Sequence, residues 1–348
     1  MAINNSNLVS ANQNAIPGTS QRVVWADLVR FLAIFIIVLR HICPAFYDSE
    51  KTSDILFVNI FVAMTEWCLP VLVMISGAFI LNPKKKFSIK TFYKKNVLRL
   101  FTALCFWSII YGVYSVCTHP NSSWTLFSII GPIFYKRLPW YHLWFMYMII
   151  GLYLVVPFLR LCVQYSSRKY LEYFLLLFFA VNTIEFWNEF MPELNFSIPV
   201  ITSYLGYFVA GYYFFNYDIS KKVRHVIYSL CFLSVAFIVM LHLRTGQCPR
   251  TYINATNNPF VIILSIGAFL SFKYSNLNFK HVGLIKELSK LSFGVYLVHD
   301  LFIQFIQFDF FSNSPFVIIP LKGLAVICCS LLVSFAINKI PVAGKYIS

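Results

Sequence analysis

Apolar runs close to twenty residues long recur along the chain, each closed off by a short polar or basic segment. Ten are readable, at approximately 25–44, 55–81, 97–117, 141–161, 170–187, 197–217, 225–243, 259–274, 291–310 and 315–338. A helix of about 20 apolar residues spans the ~30 Å hydrocarbon core of a bilayer. The pattern therefore predicts an all-α, polytopic membrane protein of about ten transmembrane helices. The runs at 170–187 and 259–274 are the shortest.

The basic residues orient these spans. With the N-terminus in the cytoplasm, the inner segments carry 20 of the 28 Lys and Arg, and the outer loops only Lys51, Lys136, Arg137, Arg244 and Arg250. Such asymmetry is the mark of cytoplasmic loops, so both termini are expected inside. The division is a cytoplasmic tail over 1–24, a membrane domain over 25–338 and a short cytoplasmic tail over 339–348. The first 22 residues are polar and lack a basic stretch ahead of an apolar one, so the first span is expected to stay as an uncleaved anchor.

Composition agrees. Of 348 residues, 59% are hydrophobic and 12% charged, against about 25% charged in a soluble domain. The net charge of +15 follows the inner loops, which points to anionic lipid and away from nucleic acid. The nine cysteines lie mostly in apolar segments, without a Cys-x-x-Cys pair or metal-ligand spacing, so neither a metal site nor a disulfide framework is expected. Asn121-Ser-Ser and Asn254-Ala-Thr fit the glycosylation pattern in two outer loops.

Ionisable residues inside spans are costly and mark chemistry or transport. The first span holds Asp27, Arg30 and His41. Eleven residues make three turns plus about 20°, so all three share a face, with about 16.5 Å between Arg30 and His41. The plain alternative is an Asp27–Arg30 pair that sets helix depth. Pro70 lies in mid-span two, followed by Ser76-Gly77, which permits close approach of a second helix or a ligand. Glu66 and Lys322 are further intramembrane ionisables, free to snorkel or to pair. The loop from Lys84 to Arg99 is the densest in cations, with Lys94, Lys95 and Arg99 at the mouth of span three. It suits the phosphates of a nucleotide or coenzyme, or is a solvated loop. Span four opens Tyr141-His142-Leu-Trp144, as an interface belt or the lining of an outward acceptor pocket. Span nine carries His299 beside Asp300. Histidine suits proton exchange with a hydroxyl nucleophile, which makes His41 and His299 the proton-handling candidates.

In this order, these segments resemble the acyltransferase-3 family of integral membrane acyltransferases. The anchors are Asp27-x-x-Arg30-x₁₀-His41, Pro70 to Gly77, His142-Leu-Trp-Phe with Tyr153-Leu-x-x-Pro157, and Ser292-x-Gly294-x-Tyr296-Leu-x-His299. The His142-Leu-Trp-Phe segment is similar to that of O-acetyltransferases of enterobacterial common antigen and related surface glycans. The resemblance implies an enzyme of the bacterial inner membrane with no bound cofactor. Acetyl-CoA is its co-substrate from the cytoplasm, and its acceptor is a glycan or lipid-linked glycan hydroxyl. It implies that Arg30 and His41 are essential. His41 is expected to act as base or acetyl carrier, Arg30 to position the coenzyme, and Asp27 to orient Arg30. Lys94, Lys95 and Arg99 are expected at the coenzyme mouth, and His299, His142 and Trp144 on the acceptor side or in a relay. Two features depart from the family: Arg40 stands where an apolar residue is usual, and lysines largely replace arginines in the loop after span two. A transporter of an acid or glycan, with the same charges lining a path, is the competing class.

Overall fold

A computed structural model describes residues 23–118, 140–188, 204–245, 256–275, 280–307, 314–341 and 343–348. The motif at Asn121, and Asn254 and Ala255 of the second one, lie outside the described residues. Among those residues the secondary structure is helical, without strands. The helices are α1 (Val24–Ile42), α2 (Thr52–Thr65), α3 (Cys68–Ile80), α4 (Ile89–Phe92), α5 (Leu98–Thr118), α6 (Trp144–Leu154) and α7 (Val156–Tyr165). They continue with α8 (Arg168–Asn188), α9 (Leu205–Asn216), α10 (Lys221–Thr245), α11 (Pro259–Lys273), α12 (Val282–Phe305), α13 (Pro315–Lys339) and α14 (Ala343–Ile347).

Each of the ten predicted runs contains helix. By length and apolarity, six of the described helical stretches qualify as membrane spans, and seven if the bent pair at Tyr141–Tyr165 is one span. The protein is thus a multi-pass membrane protein. Proline accounts for both breaks. Pro70 cannot donate to the carbonyl of Glu66 four residues back, and the chain turns at Glu66–Trp67, dividing the second run into α2 and α3. Pro157 stands in the same relation to Tyr153, and α6 and α7 meet there at 53°. The sequence places Pro70 at mid-span, but the bend itself falls one turn earlier, at the carbonyl the proline orphans. Phe158, Leu176, Phe232 and Leu332 are strongly exposed, as faces turned to lipid require.

Helix α1 runs through the centre, against α3, α12 and α13. Helices α3 and α9 pack closest. A Cβ on Gly77 would lie 1.7 Å from the Phe208 carbonyl oxygen, and one on Gly211 would lie 1.8 Å from that of Met74. Only glycine fits such mutual backbone contact. Gly206 faces the Phe178 ring of α8, so the Gly206/Ala210 pair is a packing surface. Arg160 of α7 donates to the Ile80 and Lys85 carbonyls, at 2.5 and 2.8 Å, and closes the C-terminal end of α3. Residues 343–348 pack against α5, where Trp107 Nε1 donates to the Ile347 carbonyl at 2.9 Å.

Candidate active site

Helix α1 carries Asp27 and Arg30 in its first two turns and Arg40 and His41 in its last. Asp27 is fully buried. It accepts from Arg30 Nη1 at 3.3 Å and from Ser289 Oγ at 2.9 Å, which ties α1 to α12. The Arg30 guanidinium also sits 5.4 Å from the centre of the Phe79 ring. Asp27 therefore orients Arg30, as the i,i+3 spacing predicts. Outside the spans, Lys85 faces the same ring at 5.2 Å. Partial burial and the nearby Arg160 and Arg30 cations lower its pKa.

At the other end of α1, His41 meets His299 of α12. His41 Nδ1 and His299 Nε2 are 2.6 Å apart, and His299 Nδ1 is 2.7 Å from the Tyr296 carbonyl oxygen. A carbonyl only accepts, so His299 Nδ1 must carry a hydrogen. In a neutral ring His299 Nε2 is then an acceptor, and His41 Nδ1 must donate to it. His41 Nε2 is left with a bare lone pair. Two rings and one carbonyl thus fix the tautomer of neutral His41, with Nε2 as its unprotonated nitrogen.

Aromatic groups surround this pair. The ring centroid of His142 lies 5.0 Å from that of His299 and 6.3 Å from that of His41. His142 is buried, and neither of its ring nitrogens makes a hydrogen bond to another side chain among the described residues. Its backbone carbonyl accepts from Tyr296 Oη at 2.5 Å. Asp300, fully buried, accepts from the Trp140 indole N–H and the Tyr141 hydroxyl. His41, His299 and Asp300 bring possible metal-ligand atoms within 4.8 Å of one another. The contacts just given engage both His299 nitrogens, His41 Nδ1 and both Asp300 oxygens, so the group is a hydrogen-bonded cluster.

Of these residues His41, His142 and Tyr296 border a cavity of about 260 Å³. Its walls include His41, His142, Trp144, Tyr204 and Tyr296, together with Arg40 and Glu66. The predicted residues thus fall into separate places. His41, His299, His142 and Trp144 converge at or beside the cavity, whereas Asp27 and Arg30 sit at the far end of α1. Lys94 and Lys95 are exposed on a π-helical turn over Tyr93–Val97. Arg99 donates to the Ser348 carbonyl at 2.6 Å and lies over the Phe293 ring. Trp140, Tyr141 and Tyr296 were not among the predicted site residues. Their signal is their spacing from His142 and His299, which sequence pattern reads equally well as an interface belt.

The family model for an acyltransferase domain, acyltransferase-3, matches residues 23–339. The chain belongs to that family. It is therefore an acyltransferase, moving acyl groups other than aminoacyl, and the transporter reading gives way to an enzyme. In an acyltransferase-3 protein, a neutral histidine with one free lone pair at a cavity wall is a suitable base. No curated protein and no solved structure matches the chain.

Proposed function

We propose that this acyltransferase carries an acetyl group from acetyl-CoA to a hydroxyl of a bacterial surface glycan, or of its lipid-linked precursor, in the inner membrane. The observation that carries the reading is the fixed tautomer of His41 at the wall of a polar and aromatic cavity. The acceptor hydroxyl enters the cavity and gives its proton to His41 Nε2. Its oxygen bonds to the thioester carbonyl carbon, and the carbon–sulfur bond breaks. The imidazolium returns its proton to the departing coenzyme thiolate. His299 holds the His41 ring, and His142 and Trp144 contact the acceptor.

The coenzyme comes from the cytoplasmic end of α1. Arg30, oriented by Asp27, receives its polar part, and Lys94, Lys95 and Arg99 lie at the mouth. The roughly 16.5 Å rise from Arg30 to His41 is a distance for the long pantetheine arm to cover, with the acceptor waiting on the outer side.

Purified protein in detergent is expected to release free coenzyme A from acetyl-CoA in proportion to added glycan, without any vesicle gradient. His41→Gln keeps a hydrogen-bonding group but cannot cycle a proton near neutral pH. Loss of a general base slows reactions about 10²- to 10⁴-fold, and a His41→Gln variant with full activity removes the mechanism.

A further inference from the structure

Among the described residues, Arg40 and Glu66 are the two formally charged ones in the cavity wall, and each is spent on the other. Arg40 Nη2 donates to Glu66 Oε1 at 2.7 Å and Nη1 to Oε2 at 3.3 Å, a two-pronged pair, while Nη1 also donates to the Thr65 carbonyl at 3.1 Å. Glu66 is buried and Arg40 half-buried. The turn that Pro70 imposes at Glu66–Trp67 is what carries Glu66 to the wall. In the same wall, the Trp144 and Tyr204 rings stand 5.8 Å apart between centroids.

We propose that the Arg40–Glu66 pair sets the acceptor specificity, admitting an uncharged sugar ring and rejecting one that bears a carboxylate. This rests on the glycan-acceptor reading above and adds the class of sugar. Among the described residues the cavity wall has no net charge to offer an acid. A carboxylate placed against the wall meets a guanidinium already neutralised by Glu66, and it must give up water without an unpaired cation to replace it. A neutral ring loses little. Its hydroxyls find the outer lone pairs of Glu66 and the Tyr204 hydroxyl, and its carbon face lies on Trp144 and Tyr204. Glu66 neutralises Arg40, which is the more exposed of the two, so Arg40 is a latent cation in the wall.

The test compares p-nitrophenyl β-glucoside with p-nitrophenyl β-glucuronide as acceptors, following free coenzyme A from acetyl-CoA with the full chain in detergent. Wild type is expected to favour the glucoside in kcat/KM by about 100-fold, the cost of leaving a charge without its partner. Glu66→Gln removes the counter-charge and leaves Arg40 an unpaired cation, so the ratio should shift toward the glucuronide by about 10-fold or more, the strength of a charge-assisted bond. Adding Arg40→Gln to that variant should abolish the gain, because the acid then has no cation to meet. Should Glu66→Gln fail to fold, competition on wild type decides: the glucuronide should leave glucoside acetylation unchanged. Equal use of both sugars by wild type, an unchanged ratio in folded Glu66→Gln, or inhibition by glucuronide at the KM of the glucoside overturns the specificity proposal alone. If wild type acetylates neither sugar, the glycan-acceptor reading falls, and this one falls with it.

Discussion

The Tyr296 carbonyl decides the state of a ring it does not touch. It holds the hydrogen on His299 Nδ1, which makes His299 Nε2 an acceptor and His41 Nδ1 a donor. Replacing His299 with Phe breaks this line without changing ring size much, and should lower the transfer rate by about 10²-fold or more while the protein still folds. His142 offers the contrast. Its ring nitrogens make no hydrogen bond to another side chain among the described residues, so His142→Phe breaks no side-chain network. That variant should melt no lower than wild type in detergent, with the loss confined to acceptor KM. A melting point several degrees lower shows instead that a nitrogen of His142 holds the fold. Sequence spacing reveals the Asp27–Arg30 pair because three residues on a helix suffice to define it. The His41–His299 contact joins residues 258 positions apart. Each histidine is conspicuous alone, but no local pattern brings them together.

At the scale of the element, helix in each apolar run is legible, and six or seven of the described stretches have the length that bilayer thickness asks for. The positions of bends are less so. Pro70 and Pro157 announce that helices will be interrupted, but the outcome depends on what can satisfy the orphaned carbonyl. The glycines are legible only as permission: Ser76-Gly77 allows close approach, and the structure supplies the partner, the Phe208 backbone of α9. Gly77→Ala and Gly211→Ala place a methyl group against backbone oxygens that cannot step aside. Each should cost several kcal/mol, about the upper range for overpacking, and sharply reduce folded protein on size exclusion in detergent. Gly151 has nothing within 4 Å of its would-be Cβ. Gly151→Ala should be neutral or stabilise by about 1 kcal/mol through helix propensity. Equal yields from all three variants contradict the proposed packing.

For the whole molecule, the charge asymmetry is a statement about sides. A reporter fused after residue 90 should read cytoplasmic, as should one after Ser348, and one near residue 125 should read external. External signals at both 90 and 348 overturn the inside assignment of the termini. With the inside assignment, the two ends of α1 face different compartments. Arg30 is then at the donor's side and His41 at the acceptor's. The sequence shows both ends of this arrangement. It does not show the cavity between them, which needs the turn at Glu66 and the aromatic residues of α6 and α12 brought to one place.

The backbone contact between α3 and α9 has a consequence in entropy. Most helix interfaces are made of side chains, which gain rotamer freedom as temperature rises and loosen accordingly. Where Gly77 and Gly211 meet the opposing carbonyls there are no rotamers to release. Pro70, Met74 and Gly77 lie on one short helix, so the cavity wall at Pro70 is fastened to a seam that heat has little means to soften.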